Sequence, residues 1–455
     1  MKYISTRDID QNTITASKAI VNGLSPDGGL YVPCNFPVLD HYFGMTYEKI
    51  AFQVLKLFLT DFTDEELKQY IHAAYGKNLP VQINGNYLEL FHGRTSAFKD
   101  VALQLFPFLL TAAFSKNDIK QTAVILTATS GDTGSAVLAG MANVPKTRAM
   151  VFYPACGVSN MQKLQMTTQE GDNINVFGIK GNFDDAQTTV KDVFADQQFQ
   201  SEFAEKYLFT SANSINLGRL LPQIVYYYYS YSELVRNEKI REGEMINYVV
   251  PTGNFGNILA GYYAKKMGLP INKLICATNS NCVLYEFIKS GVYNKNRKFN
   301  TTISPSMDIL ISSNLERLIY DIGGYKTVIE AYHSLKNSGK FVINFPTDMF
   351  DTDFATDAET IETIKKVYHL NGYVLDPHTA VAQCVYEKYK KSANDDTHTL
   401  ILSTASPYKF SETIENALGN ILNHPPENLR SINMKPVLHD QIIDDIRKTI
   451  RDVLI

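Results

Sequence analysis

Tyr87-Leu88-Glu89-Leu90-Phe91-His92-Gly93-Arg94-Thr95-Ser96-Ala97-Phe98-Lys99-Asp100 is the stretch whose reading decides the fold. Its first five residues read as a strand, a short polar loop follows, and Lys99 opens the apolar helical run Val101-Ala102-Leu103-Gln104-Leu105-Phe106. A lysine at a helix N-terminus opposes the macrodipole, which favours anions there. The same field, helped by burial, lowers the cost of the neutral amine. A neutral lysine amine is a nucleophile that can form a Schiff base with an aldehyde, so the position points to covalent catalysis. A solvated lysine is the competing reading, and the rest of the chain decides between them.

Outward from this stretch, apolar runs alternate with helical ones, which is the pattern of α/β units. Strands are expected at Ala123-Val124-Ile125-Leu126-Thr127-Ala128, Ala149-Met150-Val151-Phe152-Tyr153, Ile174 to Ile179, Asn247 to Val250, Lys273 to Ala277 and Thr399 to Thr404. Ahead of them, Met45 to Tyr75 carries apolar residues at helical spacing. At the far end, Asp440 to Ile455 reads as one amphipathic helix with Ile442, Ile443, Ile446, Ile450 and Val453 on one face. The run Tyr226 to Tyr229 reads as aromatic packing on a helix.

Two strand-loop-helix turns carry glycine: Thr127-Ala128-Thr129-Ser130-Gly131-Asp132-Thr133-Gly134 and Pro251-Thr252-Gly253-Asn254-Phe255-Gly256-Asn257. Each sets exposed backbone N–H groups and a positive helix end together, the physical means of holding an anion. Neither fits a Walker A loop or a GxGxxG fingerprint, which counts against ATP and NAD. The chain has 455 residues, long enough for two or three domains, with 45% apolar and 20% charged residues. Its net charge of −4, with the two signs interspersed, shows no footprint for nucleic acid. No apolar run approaches the roughly 18 residues that span a bilayer. Five cysteines without a CxxC pair indicate neither a disulfide framework nor a metal site, and a cytoplasmic location is expected.

The opening stretch resembles the lysine motif of threonine synthases, HGPT-x-AFKD, in which the lysine carries pyridoxal 5′-phosphate. Arg94 stands where that motif has proline. Gly253 to Asn257 are similar to the family's GNFGN phosphate loop, and the turn at Thr129 to Gly134 to its substrate-facing loop, where related enzymes often carry asparagine at the position of Asp132. Thr404-Ala405-Ser406-Pro407-Tyr408-Lys409-Phe410 resembles TAHPAKF, with Ser406 and Tyr408 departing from it. Asn213 to Asn216 with Arg219, Gln223 and Tyr226, Ser306 to Ile309 with Asn314, Glu316 and Arg317, and Asp376-Pro377-His378-Thr379-Ala380 extend the likeness in the family's order.

The resemblance implies a tryptophan-synthase-like (type II) fold of α/β class, with two open α/β domains behind an N-terminal, mainly helical region. It places that region at 1–85, a large cofactor domain at 86–120 and 240–455, and a small substrate-facing domain at 121–239. It implies pyridoxal 5′-phosphate held by Lys99, Gly253, Asn254, Phe255, Gly256, Asn257 and Thr404, with Asp132 beside the ring's 3-oxygen. A hydroxyl at Thr404, rather than a carboxylate, would meet the pyridine nitrogen and leave it largely neutral. The implied substrate is O-phospho-L-homoserine, converted with water to L-threonine and phosphate, with Lys99 as the mobile base. Thr129, Ser130 and Thr133 would meet its carboxylate, and Lys163, Arg219, Lys409 and Arg94 are the cations available to its phosphate. A monomer or homodimer is expected, with no nucleic-acid or membrane partner. The competing readings are a related lyase that yields 2-oxobutyrate and a pyridoxal-phosphate-binding protein without catalysis.

Overall fold

In the computed structural model, which describes every residue apart from 78, 182 and 347 and the side chains of 183 and 184, the alternating runs build two sheets. The larger has six strands in the order Phe350–Phe354, Ile271–Thr278, Ile246–Pro251, Thr399–Ser403, Tyr87–Glu89 and Gln82–Asn84. All pairs are parallel except the last. The smaller is wholly parallel, in the order Gln441–Ile443, Ile174–Ile179, Thr147–Pro154, Thr122–Ala128 and Tyr207–Ser211. Continuous apolar runs, not alternating ones, are what a parallel sheet covered on both faces requires. Accordingly Val124, Ile125, Leu126, Val151 and Phe152 are fully buried in one sheet, and Val249, Val250, Leu274, Ile275 and Leu400 in the other.

The N-terminal region is helical around a small antiparallel sheet of Thr13–Ile14, Tyr3–Ser5 and Tyr31–Pro33. Its long helical pattern divides into Tyr47–Phe58 and Asp64–Tyr75 because Thr63 and Glu66 form a capping box that starts a second helix. The Gln82–Asn84 segment of this region leaves it to pair with Tyr87–Glu89 in the six-stranded sheet.

The C-terminus departs from the expectation in two ways. Asp440 to Ile455 is not one helix: Gln441–Ile443 is a strand, and only Ile446–Leu454 is helical, started by the Asp445 side chain. Nor does it join the six-stranded sheet, which takes strands between 246 and 403. The strand pairs Ile442 with Gly178 and Ile443 with Ile179, closing the edge of the five-stranded sheet. The β-branched pair Ile442-Ile443 suits a strand, and an unpaired parallel edge offers it a ladder that a free helix would lack. The five-stranded sheet therefore draws an outer strand from the C-terminal segment.

Candidate active site

The site is assembled at the C-terminal ends of parallel strands, where open α/β sheets place their ligands. Lys99 follows Tyr87–Glu89, Thr404 follows Thr399–Ser403, and the glycine loop follows Ile246–Pro251. From the other sheet come Asp132 and Thr133 after Thr122–Ala128, and Asn213 and Ser214 after Tyr207–Ser211. Together these line one cavity, with Phe98, Arg219, Gln223, Ser306, Met307 and His378 among the rest of its wall.

Lys99 begins a helix of only 5 residues, Lys99–Leu103. Its loop is fixed to the strand end that bears Thr404. Phe98 N–H donates to the Thr404 carbonyl at 2.8 Å, Ser406 N–H donates to Ser96 at 3.0 Å, and Ala97 bridges to Ala405. The Lys99 side chain is 12% exposed, with Nζ 4.7 Å from the centre of the Phe98 ring. Burial pushes its proton affinity down; Asp132 opposes this, while the charges of Lys409 and Arg219 reinforce it. With so short a helix, burial rather than the helix field is what disfavours the ammonium. The Thr404 hydroxyl has no hydrogen-bond partner among the described residues, although its N–H and carbonyl are both engaged.

The glycine loop is built for close approach. Phe255 adopts the left-handed conformation (φ 61°) and caps the helix Gly256–Lys266 without a side-chain bond. Among the described residues, the N–H groups of Gly253 through Asn257 meet no backbone acceptor, as expected of a loop entering a helix. A Cβ at Gly253 would lie 2.6 Å from the Ser306 carbonyl oxygen. Asn254 Oδ1 and Asn257 Nδ2 are buried without partners. Asn257 Oδ1, by contrast, takes hydroxyls from Tyr226 at 2.6 Å and Tyr227 at 2.9 Å.

Asp132 is buried between two lysines, with Oδ1 2.8 Å from Lys409 Nζ and Oδ2 3.6 Å from Lys99 Nζ. Burial opposes its ionisation, but the charges of Lys409 and Lys99, with the hydrogen bond from Lys409, outweigh that and hold it far below the usual carboxylate range. Gln162 Nε2 donates to Oδ1 at 2.8 Å, and the Ser306 hydroxyl reaches Oδ2 at 3.4 Å. The carboxylate is thus committed to cations on both sides. His378 Nδ1 is 2.9 Å from Asp376, and its Nε2 accepts the Ser306 N–H at 3.2 Å, fixing the segment that backs Gly253.

Arg219 is 3% exposed and lines the cavity, with one nitrogen on the Ala212 carbonyl and Nε unpartnered. Burial lowers its proton affinity, to about 9, although Asp100 opposes the shift. The other expected cations lie elsewhere. Arg94 is exposed on a turn whose carbonyl accepts from Asn428. Lys163 faces Asp440 at 3.6 Å, because the C-terminal segment runs beside its helix. Lys409 is wholly buried behind Asp132. Thr133 lines the cavity, whereas Ser130 and Thr129 do not; Thr129 accepts N–H bonds from Gly131 and Gly134 and so shapes the loop. Tyr226, Tyr227, Gln162 and His378 have site-supporting contacts that local sequence did not reveal. A polar tip on each apolar-looking tyrosine was the available signal.

A buried amine, a loop of free N–H groups, an unpartnered hydroxyl and orphaned amides around one cavity fit pyridoxal 5′-phosphate, and the fold and site are those of a pyridoxal-phosphate-dependent enzyme. Residues 87–405 match the family model described as pyridoxal-phosphate dependent enzyme, 2–75 that of the threonine synthase N terminus, and 379–450 that of the threonine synthase C-terminal part. The chain is 37% identical to threonine synthase of Saccharomyces cerevisiae, over 95% of its own length and 93% of the yeast protein. It is 40% identical to that of Pseudomonas aeruginosa, over 92% and 90%. The solved structure of pyridoxal-phosphate-bound threonine synthase from Brucella melitensis superposes with a TM-score of 0.88 at 34% identity, covering 100% of this chain and 98% of that one. The chain belongs to the threonine synthase family.

Proposed function

We propose that this chain converts O-phospho-L-homoserine and water into L-threonine and inorganic phosphate, the last step of threonine biosynthesis. The observation that carries the reading is one cavity equipped for two phosphates: the N–H loop at Gly253 to Asn257, and the buried Arg219 with its unpartnered Nε. Gly253, Asn254, Phe255, Gly256 and Asn257 would hold the phosphate of pyridoxal phosphate, Thr404 its ring nitrogen, and Lys99 its aldehyde carbon. When bound, pyridoxal phosphate would supply an electron sink that acidifies the hydrogen on the substrate's amino-bearing carbon and then one on the neighbouring carbon, so that the γ-phosphate can leave.

Lys99 takes and returns those hydrogens at Nζ. Burial lowers its proton affinity, which leaves more of the amine in the unprotonated form that a base requires. Arg219 binds the γ-phosphate through charge-assisted hydrogen bonds, and the low dielectric of a buried site strengthens them. Thr133 and the N–H groups opening the helix Asp132–Met141 orient the substrate carboxylate. With a small molecule as substrate, the reading calls for no nucleic-acid or membrane partner and for action as a monomer or homodimer; among the described residues no helix is long and apolar enough to cross a membrane. The cysteines, all free, fit the cytoplasm.

Borohydride reduction of the yellow protein followed by peptide mass analysis tests the Lys99 assignment. The pyridoxyl adduct is expected on the peptide that contains Lys99. A colourless protein, or an adduct at any other lysine, contradicts it.

A further inference from the structure

Lys409 enters no step described so far, yet it is 0% exposed and sits at a junction of the fold. It follows the strand Thr399–Ser403 of the six-stranded sheet, whereas Asp132 starts a helix of the five-stranded one. Their 2.8 Å ion pair therefore crosses between the two sheets. Lys409 is held in place from three directions. Its Nζ also donates to the Thr95 carbonyl at 2.9 Å, inside the Lys99 loop, and its own carbonyl accepts the Ser159 hydroxyl at 2.8 Å. Gln162, in the helix Asn160–Thr167 that follows the next strand, braces the same carboxylate. Gly131 makes that approach possible: its φ is +131°, and a Cβ there would stand 2.4 Å from Gln162 Cδ.

We propose that Lys409 is a positioning residue that keeps Lys99 free for chemistry, by drawing Asp132 into a buried ion pair so that the carboxylate does not close on the Lys99 amine. The distances state the competition: 2.8 Å to Lys409 against 3.6 Å to Lys99. A lysine in a tight, buried ion pair stays protonated and is neither nucleophile nor base. The charged groups acting on Lys99 are Asp132, Lys409 and Arg219; His378, a titratable neighbour of Asp132, lines the same cavity. Asp100, next in the chain, is turned away, its two oxygens taken by the Thr95 N–H and hydroxyl at 2.8 Å each. With Lys409 removed, Lys99 is the cation that remains beside Asp132, whose other partners, Gln162 and Ser306, are neutral. With Asp132 removed, two buried cations face each other with no anion between them. The two changes act on Lys99 with opposite sign.

This inference rests on the reading of Lys99 as the cofactor-bearing lysine, and its test separates the two. Full-length protein is equilibrated with pyridoxal phosphate across a pH series, reduced with borohydride, and the adduct on the Lys99 peptide is quantified. Below some midpoint the amine is protonated and the adduct is lost. K409M should raise that midpoint by about one pH unit or more, and D132N should lower it by a similar amount. The double variant should fall between the two, and K409R, which keeps the charge, should stay near wild type. Both single variants moving the same way, or neither moving, overturns the proposal. Should K409M fail to fold, a D132N midpoint at or above wild type overturns it alone. A wild-type chain never trapped at Lys99 overturns the reading of Lys99 instead.

Discussion

Gly253→Ala places one methyl group where the structure leaves it least room. The added Cβ would lie 2.6 Å from the Ser306 carbonyl oxygen, so something must give by about 0.8 Å to reach ordinary contact. Ser306 is poorly placed to yield: its N–H is on His378 and its hydroxyl on Asp132. The Gly253 carbonyl is likewise held, by the Ser312 hydroxyl at 2.7 Å. Overpacking of this kind costs about 1–3 kcal/mol. If the loop yields, its N–H groups lose their aim, and the cost appears as roughly 5- to 150-fold weaker cofactor binding. Gly256→Ala is the control, since its Cβ would meet only the side chains of Ser214 at 3.3 Å and Asn314 at 3.4 Å. Equilibrium dialysis with pyridoxal phosphate should give a large loss for G253A and less than about threefold for G256A. Equal losses, or normal binding by G253A, would refute the argument that close backbone approach is what the first glycine provides.

Other consequences are measurable. Arg219→Met should raise KM for phosphohomoserine by about 30-fold or more, since a buried charged contact is lost, while pyridoxal phosphate is retained. Arg94→Pro and Lys163→Ala should leave KM within about twofold, as both side chains lie outside the cavity. Tyr227→Phe should weaken cofactor binding about fivefold, the worth of one hydrogen bond to Asn257. Tyr228→Phe should not, because that hydroxyl bonds to the Met267 carbonyl instead. Deleting residues 440–455 uncovers the edge of Ile174–Ile179 and removes the buried Ile446 and Ile450, each worth about 1.5–3 kcal/mol; calorimetry should show a clear fall in Tm.

The site was legible in the sequence where its chemistry is local. Lys99, Thr404 and Gly253 to Asn257 each sit just past a strand whose apolar run marks it, so the motif and its place in the fold were read together. The cations were not legible, because a positive charge in a matched segment says nothing about what faces it. Of Arg94, Lys163, Arg219 and Lys409, only Arg219 lines the cavity. The rest are claimed by a turn, by Asp440 and by Asp132, contacts made across long stretches of chain. The C-terminal strand was missed for the same reason. Ile442, Ile446 and Ile450 satisfy a helical stripe, and only the open edge of another sheet breaks the tie. Tyr226 and Tyr227 looked like packing and are packed, yet their hydroxyls converge on Asn257.

The products of one turnover separate threonine formation from simple elimination. Purified protein with bound pyridoxal phosphate should be given O-phospho-L-homoserine, and threonine, 2-oxobutyrate and inorganic phosphate followed together. Threonine and phosphate appearing in equal amounts, with little 2-oxobutyrate, is the predicted result. Phosphate matched by 2-oxobutyrate would contradict threonine formation and make the chain an eliminating lyase built on the same site.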